Sequence, residues 1–393
     1  MSQIDASIRT LNVGVIGCGM LASTTHIPNS AANPGLNLRW LCDINAPLLR
    51  EQAERYGVEH TTADYHALLQ DPALDLVVLA TTHTLRAEAI EAAARAGKAV
   101  YVEKPMAGST QDVARILTVV RETGIPFCVG HNRRSAPAIM DAADILRRWR
   151  ANPAIPPWRF DRNSTLRPRL PEEDQTCVMI RVNDDVLTWK PWAFADGAII
   201  NEMTHFIDLA NLFMGELRPV EVYTMGSARF NFTIIIRYED GSLATLPHSA
   251  VGTLDYPKEL VEITCGGAMI AIDHCMEIRV TGIADEPFRR VYASPDPRAA
   301  TQRPGIEGFY DSAQQLIQER LREGRNDFFI GGPDKGHYQH LDRFAACVRG
   351  DGPSPCDAEE AAKSTMLVLK AYESCRLGMP LPFGPDEYLP IAL

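Results

Sequence analysis

Three groups of residues in this 393-residue chain are of types that do chemistry together. The first is Gly17-Cys18-Gly19-Met20-Leu21-Ala22, a GxGxxA turn at the end of an apolar run. Gly17 permits a sharp reversal, Gly19 lets the backbone approach a pyrophosphate, and Ala22 lets the following helix pack close to its strand. The turn at Met20 and Leu21 then presents helix N–H groups and a partial positive charge to phosphates. Asp43 closes the next apolar run, about 20 residues on, where a carboxylate binds ribose hydroxyls. Its charge repels a 2′-phosphate, and the next residues are Ile44 and Asn45 rather than Arg, so NAD is favoured over NADP. The plain alternative is that Asp43 caps the loop after it.

The second group is Glu103-Lys104-Pro105, directly after an apolar run at 99–102. That places it at the carboxyl end of a sheet, where doubly wound folds bind ligands. A lysine fixed there can hydrogen-bond a reacting hydroxyl and help hold its proton. A cis bond before Pro105 would fix the direction of the lysine. The third group is Asn201, Glu202, His205 and Asp208, at helical three- and four-residue spacing. With an ordinary pKa of about 6.5, His205 suits the base that takes a hydroxyl proton. Asn201 or Glu202 would orient it or bind a substrate hydroxyl. The plain alternative is a buried helix with a satisfied polar cluster. Glu202 and His205 also read as metal ligands, but no third ligand is evident and no metal is expected.

The elements that must position these groups follow from periodicity. Apolar runs at 11–16, 38–42, 76–80, 99–102 and 126–129 show no polar alternation, as in strands covered on both faces. Helical patterns lie between them at 46–56, 85–96 and 111–123, each stopped by glycine (Gly57, Gly97, Gly124). Strands alternating with helices imply βαβ units and a parallel sheet, hence a doubly wound Rossmann domain. Beyond it, 136–150 reads as a helix and 151–173 as an irregular Pro/Arg-rich loop. An amphipathic helix is expected over 199–214. Strands and turns fill 220–291, with Asp240-Gly241 as a hairpin signal and Gly266-Gly267 as a second turn. A long helix covers 358–377. The expected fold is α/β: an N-terminal NAD-binding Rossmann domain over 1–131, then an α+β domain over 132–393 with a mostly antiparallel sheet.

Composition excludes several classes. The net charge is −11, which argues against a binder of nucleic-acid backbone. No apolar run reaches the roughly 18–20 residues that span a bilayer. Nine cysteines with irregular gaps and no CxxC spacing suggest reduced thiols in a cytoplasmic protein.

These residues together resemble the Gfo/Idh/MocA family of sugar and polyol oxidoreductases over nearly the whole chain. Four segments carry the likeness: Val15 to Met20; Ala80 to Ala107, with Glu103-Lys104-Pro105; Val129-Gly130-His131-Asn132-Arg133-Arg134; and Gly197 to Asp208. The resemblance implies that Lys104 and His205 flank the substrate near the nicotinamide, with Arg133 on the substrate side. It also implies that the 132–393 domain serves substrate binding and oligomerisation, its large sheet forming a homodimer or homotetramer. Three departures stand out. Asn201 replaces a usual acidic residue four before the histidine, although Glu202, three before it, matches some relatives. Thr82, His83 and Arg86 replace the usual Thr-Pro-Asn and later His, so that Thr81, Thr82 and His83 take the places beside the cofactor. Trp189 and Trp192 form either a sugar-stacking wall or ordinary loop packing.

The expected activity is hydride transfer between nicotinamide and a secondary alcohol or ketone of a sugar, inositol or glycoside. Two other readings stay open: a redox-neutral enzyme that retains its NAD, and a regulatory protein that binds NAD without turnover. The arginines of the 151–173 loop (Arg159, Arg162, Arg167, Arg169) meet either an anionic substrate or solvent.

Overall fold

The structure is a computed structural model that describes residues 9–82, 85–151, 171–185, 197–253, 255–295, 303–323 and 332–389. It divides into two compact units: Met1–Ser135 with Gly336–Leu369 and Pro385–Leu393, and Ala136–Lys335 with Lys370–Gly384.

The first unit is built on six parallel strands: β1 (Leu11–Ile16), β2 (Leu36–Cys42), β3 (His60–Thr62), β4 (Leu76–Leu79), β5 (Ala99–Val102) and β6 (Phe127–Val129). Their spatial order is β3-β2-β1-β4-β5-β6. Strand order reverses between β1 and β4, which creates the crevice where such sheets bind ligands. The central strands β4 and β5 are buried at every position, as their continuous run of apolar and aromatic residues requires. The glycine stops hold: Gly57 and Gly124 cap their helices in the left-handed conformation. β3 escapes the sequence reading because it is a short, polar edge strand, His60-Thr61-Thr62, with no apolar signal. The other edge strand, β6, is closed by the C-terminal part of the unit. There the Val129 N–H donates to the Cys356 carbonyl at 3.0 Å and the Ser354 hydroxyl to the Phe127 carbonyl at 2.8 Å. His340, in the helix His337–Arg349, is fully buried under β5 and β6. Its Nε2 lies 2.9 Å from the Val129 carbonyl and its Nδ1 2.9 Å from the Ser135 hydroxyl. The carbonyl contact requires a hydrogen on Nε2.

The second unit carries a nine-stranded sheet. Its strands are β7 (Thr176–Asn183), β8 (Pro219–Gly226), β9 (Phe232–Tyr238), β10 (Leu243–Ser249), β11 (Glu259–Cys265), β12 (Ala268–Asp273), β13 (Glu277–Thr281), β14 (Arg289–Val291) and β15 (Leu381–Pro382). The order is β14-β13-β12-β11-β7-β10-β9-β8-β15. Only the β7–β10 pairing is parallel among the described strands; the rest are antiparallel. The Asp240-Gly241 and Gly266-Gly267 turns form as the sequence implies, with positive φ at each glycine. β7 was not anticipated, although its alternating Val178, Ile180 and Val182 bury one face. The helix Met203–Met214 packs against β7 and β10, and Pro137–Ala151 against β12 and β13.

One expected helix is corrected. The 199–214 segment is not a single amphipathic helix: a turn at Glu202 separates a short helical stretch at 197–201 from Met203–Met214. The latter is buried almost all round rather than along one stripe. Its apolar residues Phe206, Ile207, Leu209, Ala210 and Phe213, buried together with Asp208 and Asn211, mark a core helix.

Candidate active site

The carboxyl ends of the parallel strands gather the predicted nucleotide residues. Gly17 has φ +91°, and a Cβ there would lie 2.8 Å from the Ala80 carbonyl oxygen, so only glycine fits this close crossing of the β1 and β4 ends. At Gly19 a Cβ would meet nothing within 4 Å. The chain itself does not demand glycine there; the open space is a cradle suited to a pyrophosphate. Met20 and Leu21 are exposed at its rim. Asp43 stands beside the turn. Its Oδ2 accepts from the Cys18 N–H at 2.6 Å and its Oδ1 from the Asn45 N–H at 2.7 Å. The carboxylate is therefore oriented by backbone while staying partly exposed, as a ribose-binding group must be. These residues fit a dinucleotide.

After the turn the chain forms a π-helical turn, Ala22–His26, before the α-helix Ile27–Ala32. It carries the buried His26 inward, where Nε2 lies 2.8 Å from Glu103 Oε1. The other Glu103 oxygen accepts from the Lys104 N–H at 3.1 Å. Burial alone would raise the Glu103 pKa. The His26 hydrogen bond and the charges of His26, Lys104 and Arg86 outweigh it and hold the carboxyl down at about 2. Gly130 is required alongside, since a Cβ would come 2.9 Å from Glu103 Oε1. The Lys104–Pro105 peptide is cis. Lys104 itself is half-buried, while Glu103 lies beneath it in the interior. Arg86, buried, donates to the Thr81 carbonyl through Nε and Nη2 (3.2 and 2.8 Å) and to the Pro105 carbonyl through Nη1. Thr81 is half-buried and Thr82 exposed; His83 lies outside the described residues. Arg133 is buried in the 3₁₀ turn Asn132–Ser135, next to Arg134, which pairs with Glu360 at 3.2 Å.

The second unit holds the remaining candidates. Glu202 precedes the helix Met203–Met214, and its carbonyl accepts from the His205 N–H at 3.1 Å. The Asn201 side chain donates to the Gly197 carbonyl at 3.3 Å. His205 and Asp208 are buried. The Glu202 carboxylate does not stand alone: Lys258 Nζ lies 2.7 Å from its Oε1 and 2.7 Å from Asp184 Oδ2. His248, on β10, is buried and stacked on Phe232 at 4.6 Å, with Nδ1 3.1 Å from the Phe230 carbonyl. Burial lowers its pKa; the Phe230 carbonyl and the charges of Asp184 and Glu202 oppose that, and Lys258 adds to it. Asp184, Lys258, His248 and His26 were not singled out from sequence. They carry no motif, and only the pairing of β7 with β10 and β11 brings the first three to one sheet end. Trp189 and Trp192 lie outside the described residues, as does most of the 151–173 loop.

A six-stranded doubly wound sheet with this glycine turn and a carboxylate beside it, followed by an α/β unit, is the pattern of a two-part NAD(P)-binding oxidoreductase. Comparison with known proteins agrees. Residues 11–131 match the oxidoreductase family's NAD-binding Rossmann fold and residues 174–383 its C-terminal alpha/beta domain. The chain belongs to the Gfo/Idh/MocA oxidoreductase family. It is 30% identical over 395 residues to an inositol 2-dehydrogenase of Salmonella paratyphi B, covering 96% of this chain and 99% of the relative. It is 24% identical over 393 residues to a D-apiose dehydrogenase of Paraburkholderia graminis, covering 96% and 91%. In fold it is similar to a scyllo-inositol dehydrogenase from Lactobacillus casei, solved with NAD(H) and scyllo-inositol, at TM-score 0.68, 16% identity and coverage of 95% and 99%.

Proposed function

We propose that this protein is an NAD-dependent dehydrogenase of a secondary alcohol on a sugar, inositol or glycoside. The observation that carries the reading is Lys104: a half-buried ammonium at the carboxyl end of β5, whose own N–H donates to the buried Glu103 and whose neighbour Pro105 has its carbonyl held by the buried Arg86. Residues 1–131 serve as the cofactor part and 132–393 as the substrate and oligomer part. The Gly17–Leu21 turn would hold the pyrophosphate, with Thr81, Thr82 and His83 also on the cofactor side. Asp43 would hold the ribose hydroxyls and set NAD over NADP. NAD, when bound, supplies the hydride acceptor.

The chain's own groups manage the proton. Lys104 donates a hydrogen bond to the hydroxyl oxygen and stabilises the negative charge that grows there as the hydroxyl proton leaves. His205 takes the hydroxyl proton. Asn201, which cannot accept a proton, binds a neighbouring substrate hydroxyl, with Arg133 and Trp192 as further substrate contacts. Glu202, tied to Lys258, orients the turn that bears His205 rather than serving as a base. The names of the relatives, inositol 2-dehydrogenase and D-apiose dehydrogenase, support a polyol or sugar substrate. The free cysteines suit a reducing, cytoplasmic setting. The outward face of the second sheet, which carries Ile235, Leu243 and Met225 in the open, supports a homodimer or homotetramer.

The test is a panel of inositols, sugars and glycosides assayed for NADH formation at 340 nm. At least one polyol is expected to turn over with NAD. Lys104→Met and His205→Ala should each lower turnover at least about a hundredfold while retaining NADH binding. Wild-type rates in both variants would remove these roles. Product formed without net NADH, with NAD released on denaturation, would select the redox-neutral alternative.

A further inference from the structure

We propose that Arg86 is a positioning residue that locks the cofactor-side loop at Thr81–Thr82 and the lysine-bearing loop at Glu103–Pro105 into one arrangement, so that nucleotide affinity and lysine placement depend on a single guanidinium. The inference deepens the role given to Lys104 above and rests on it.

β4 and β5 run side by side, pairing Leu79 with Val102, and their last shared bond takes the Glu103 N–H to the Leu79 carbonyl at 2.9 Å. Beyond that point the sheet no longer fixes one chain against the other. The two loops diverge, yet both must hold their course for the site to work. Arg86 spans the gap. Two of its nitrogens reach the Thr81 carbonyl and a third the Pro105 carbonyl. It is buried, standing where the helix Arg86–Arg95 begins.

The grip on Lys104 is two-sided. Glu103 accepts from the Lys104 N–H on one flank, and Arg86 donates to the carbonyl of Pro105, the residue on the other flank. Movement of the 81–82 loop, on binding a nucleotide, is thereby transmitted through a rigid planar group to the lysine. A guanidinium suits the task because its donors diverge in a fixed fork; an ammonium is a point charge without that geometry. Burial lowers the Arg86 pKa to about 10, opposed by Glu103, so the group stays charged at neutral pH.

The experiment uses the full chain with Arg86→Met and Arg86→Lys. NADH affinity is read by fluorescence titration, and the rate of Lys104 modification by a small amine-directed reagent by peptide mass spectrometry, with and without NADH. In the wild type NADH is expected to change the Lys104 rate at least threefold. Arg86→Met should weaken NADH binding at least tenfold and abolish that NADH-dependent change. Arg86→Lys, which keeps the charge and loses the fork, should retain folding and less than a third of the affinity, and it decides the matter where the Met variant does not fold. Wild-type affinity and a wild-type NADH effect on Lys104 in the Lys variant would overturn the coupling. So would a wild-type chain that binds neither NADH nor NADPH. Lys104→Met separates the two layers: normal turnover there removes the catalytic role of Lys104, while the binding and labelling readouts still decide on Arg86.

Discussion

The imidazole of His26 meets the carboxylate of Glu103 at 2.8 Å, both side chains buried in the first unit. This pair ties the helical turn after the glycine motif to the residue that precedes Lys104. Removing one member of a buried pair leaves the other uncompensated, and that loss is far larger than for an exposed ion pair.

Glu103→Gln is expected to destabilise the protein at neutral pH by about 1–3 kcal/mol, on the scale of a lost charged hydrogen bond. The pH dependence has a definite sign. The Glu103 pKa falls from an ordinary 4.5 to about 2 on folding, so its contribution is complete above about pH 4.5 and fades as pH drops toward 2. Urea unfolding at pH 7 and pH 3 should show the gap between wild type and Glu103→Gln narrowing in acid. A gap that widens in acid would contradict the assignment.

Asp43 is oriented by two backbone N–H groups, so its replacement should change cofactor choice more than folding. Asp43→Ala is expected to weaken NADH binding at least tenfold and to narrow the preference for NADH over NADPH. Fluorescence titration with both nucleotides measures this. An unchanged ratio would reduce Asp43 to a loop cap.

Lys258 bridges Asp184 and Glu202, which lie buried or nearly so. Lys258→Met strips both carboxylates of their shared partner. A loss of about 2 kcal/mol is expected, below the 3–5 kcal/mol of a fully buried pair because Lys258 is partly exposed. The double variant Lys258→Met, Glu202→Gln should recover part of it, since one stranded charge is gone. Thermal melting of the two variants tests the bridge; equal melting temperatures would argue against it.

The exposed Ile235 sits on β9, which runs between β8 and β10 in the outward-facing sheet. Ile235→Arg is expected to shift the protein toward monomer in sedimentation equilibrium, because a charge there opposes burial against a second copy. A wild-type chain that sediments as a monomer would remove the proposed assembly.

Much of the first unit was legible in the sequence because its signals are local. The run 11–16, the helix 46–56 stopped by Gly57, and the strand 99–102 each coincide with the structure. Burial on both faces writes continuous apolar stretches, and left-handed caps write glycine. The site was half legible. Gly17, Asp43 and Lys104 announce themselves by type and by position after a strand. Glu202 was visible, but not the break in the helix beside it.

By itself the sequence determined the parallel sheet, the glycine turn with its carboxylate, and the likeness to a family of oxidoreductases, all consequences of short-range pattern. Only the tertiary structure decided that His26 is the partner of Glu103, that Arg86 reaches two carbonyls in the loops after different strands, and that Lys258 holds Asp184 and Glu202. The residues in those contacts are separated by 77, 19 and 74 positions at the widest for Glu103, Pro105 and Asp184. No periodicity links such positions. What selects them is the cost of burying a charge without a partner, and that cost exists only once the fold has excluded water.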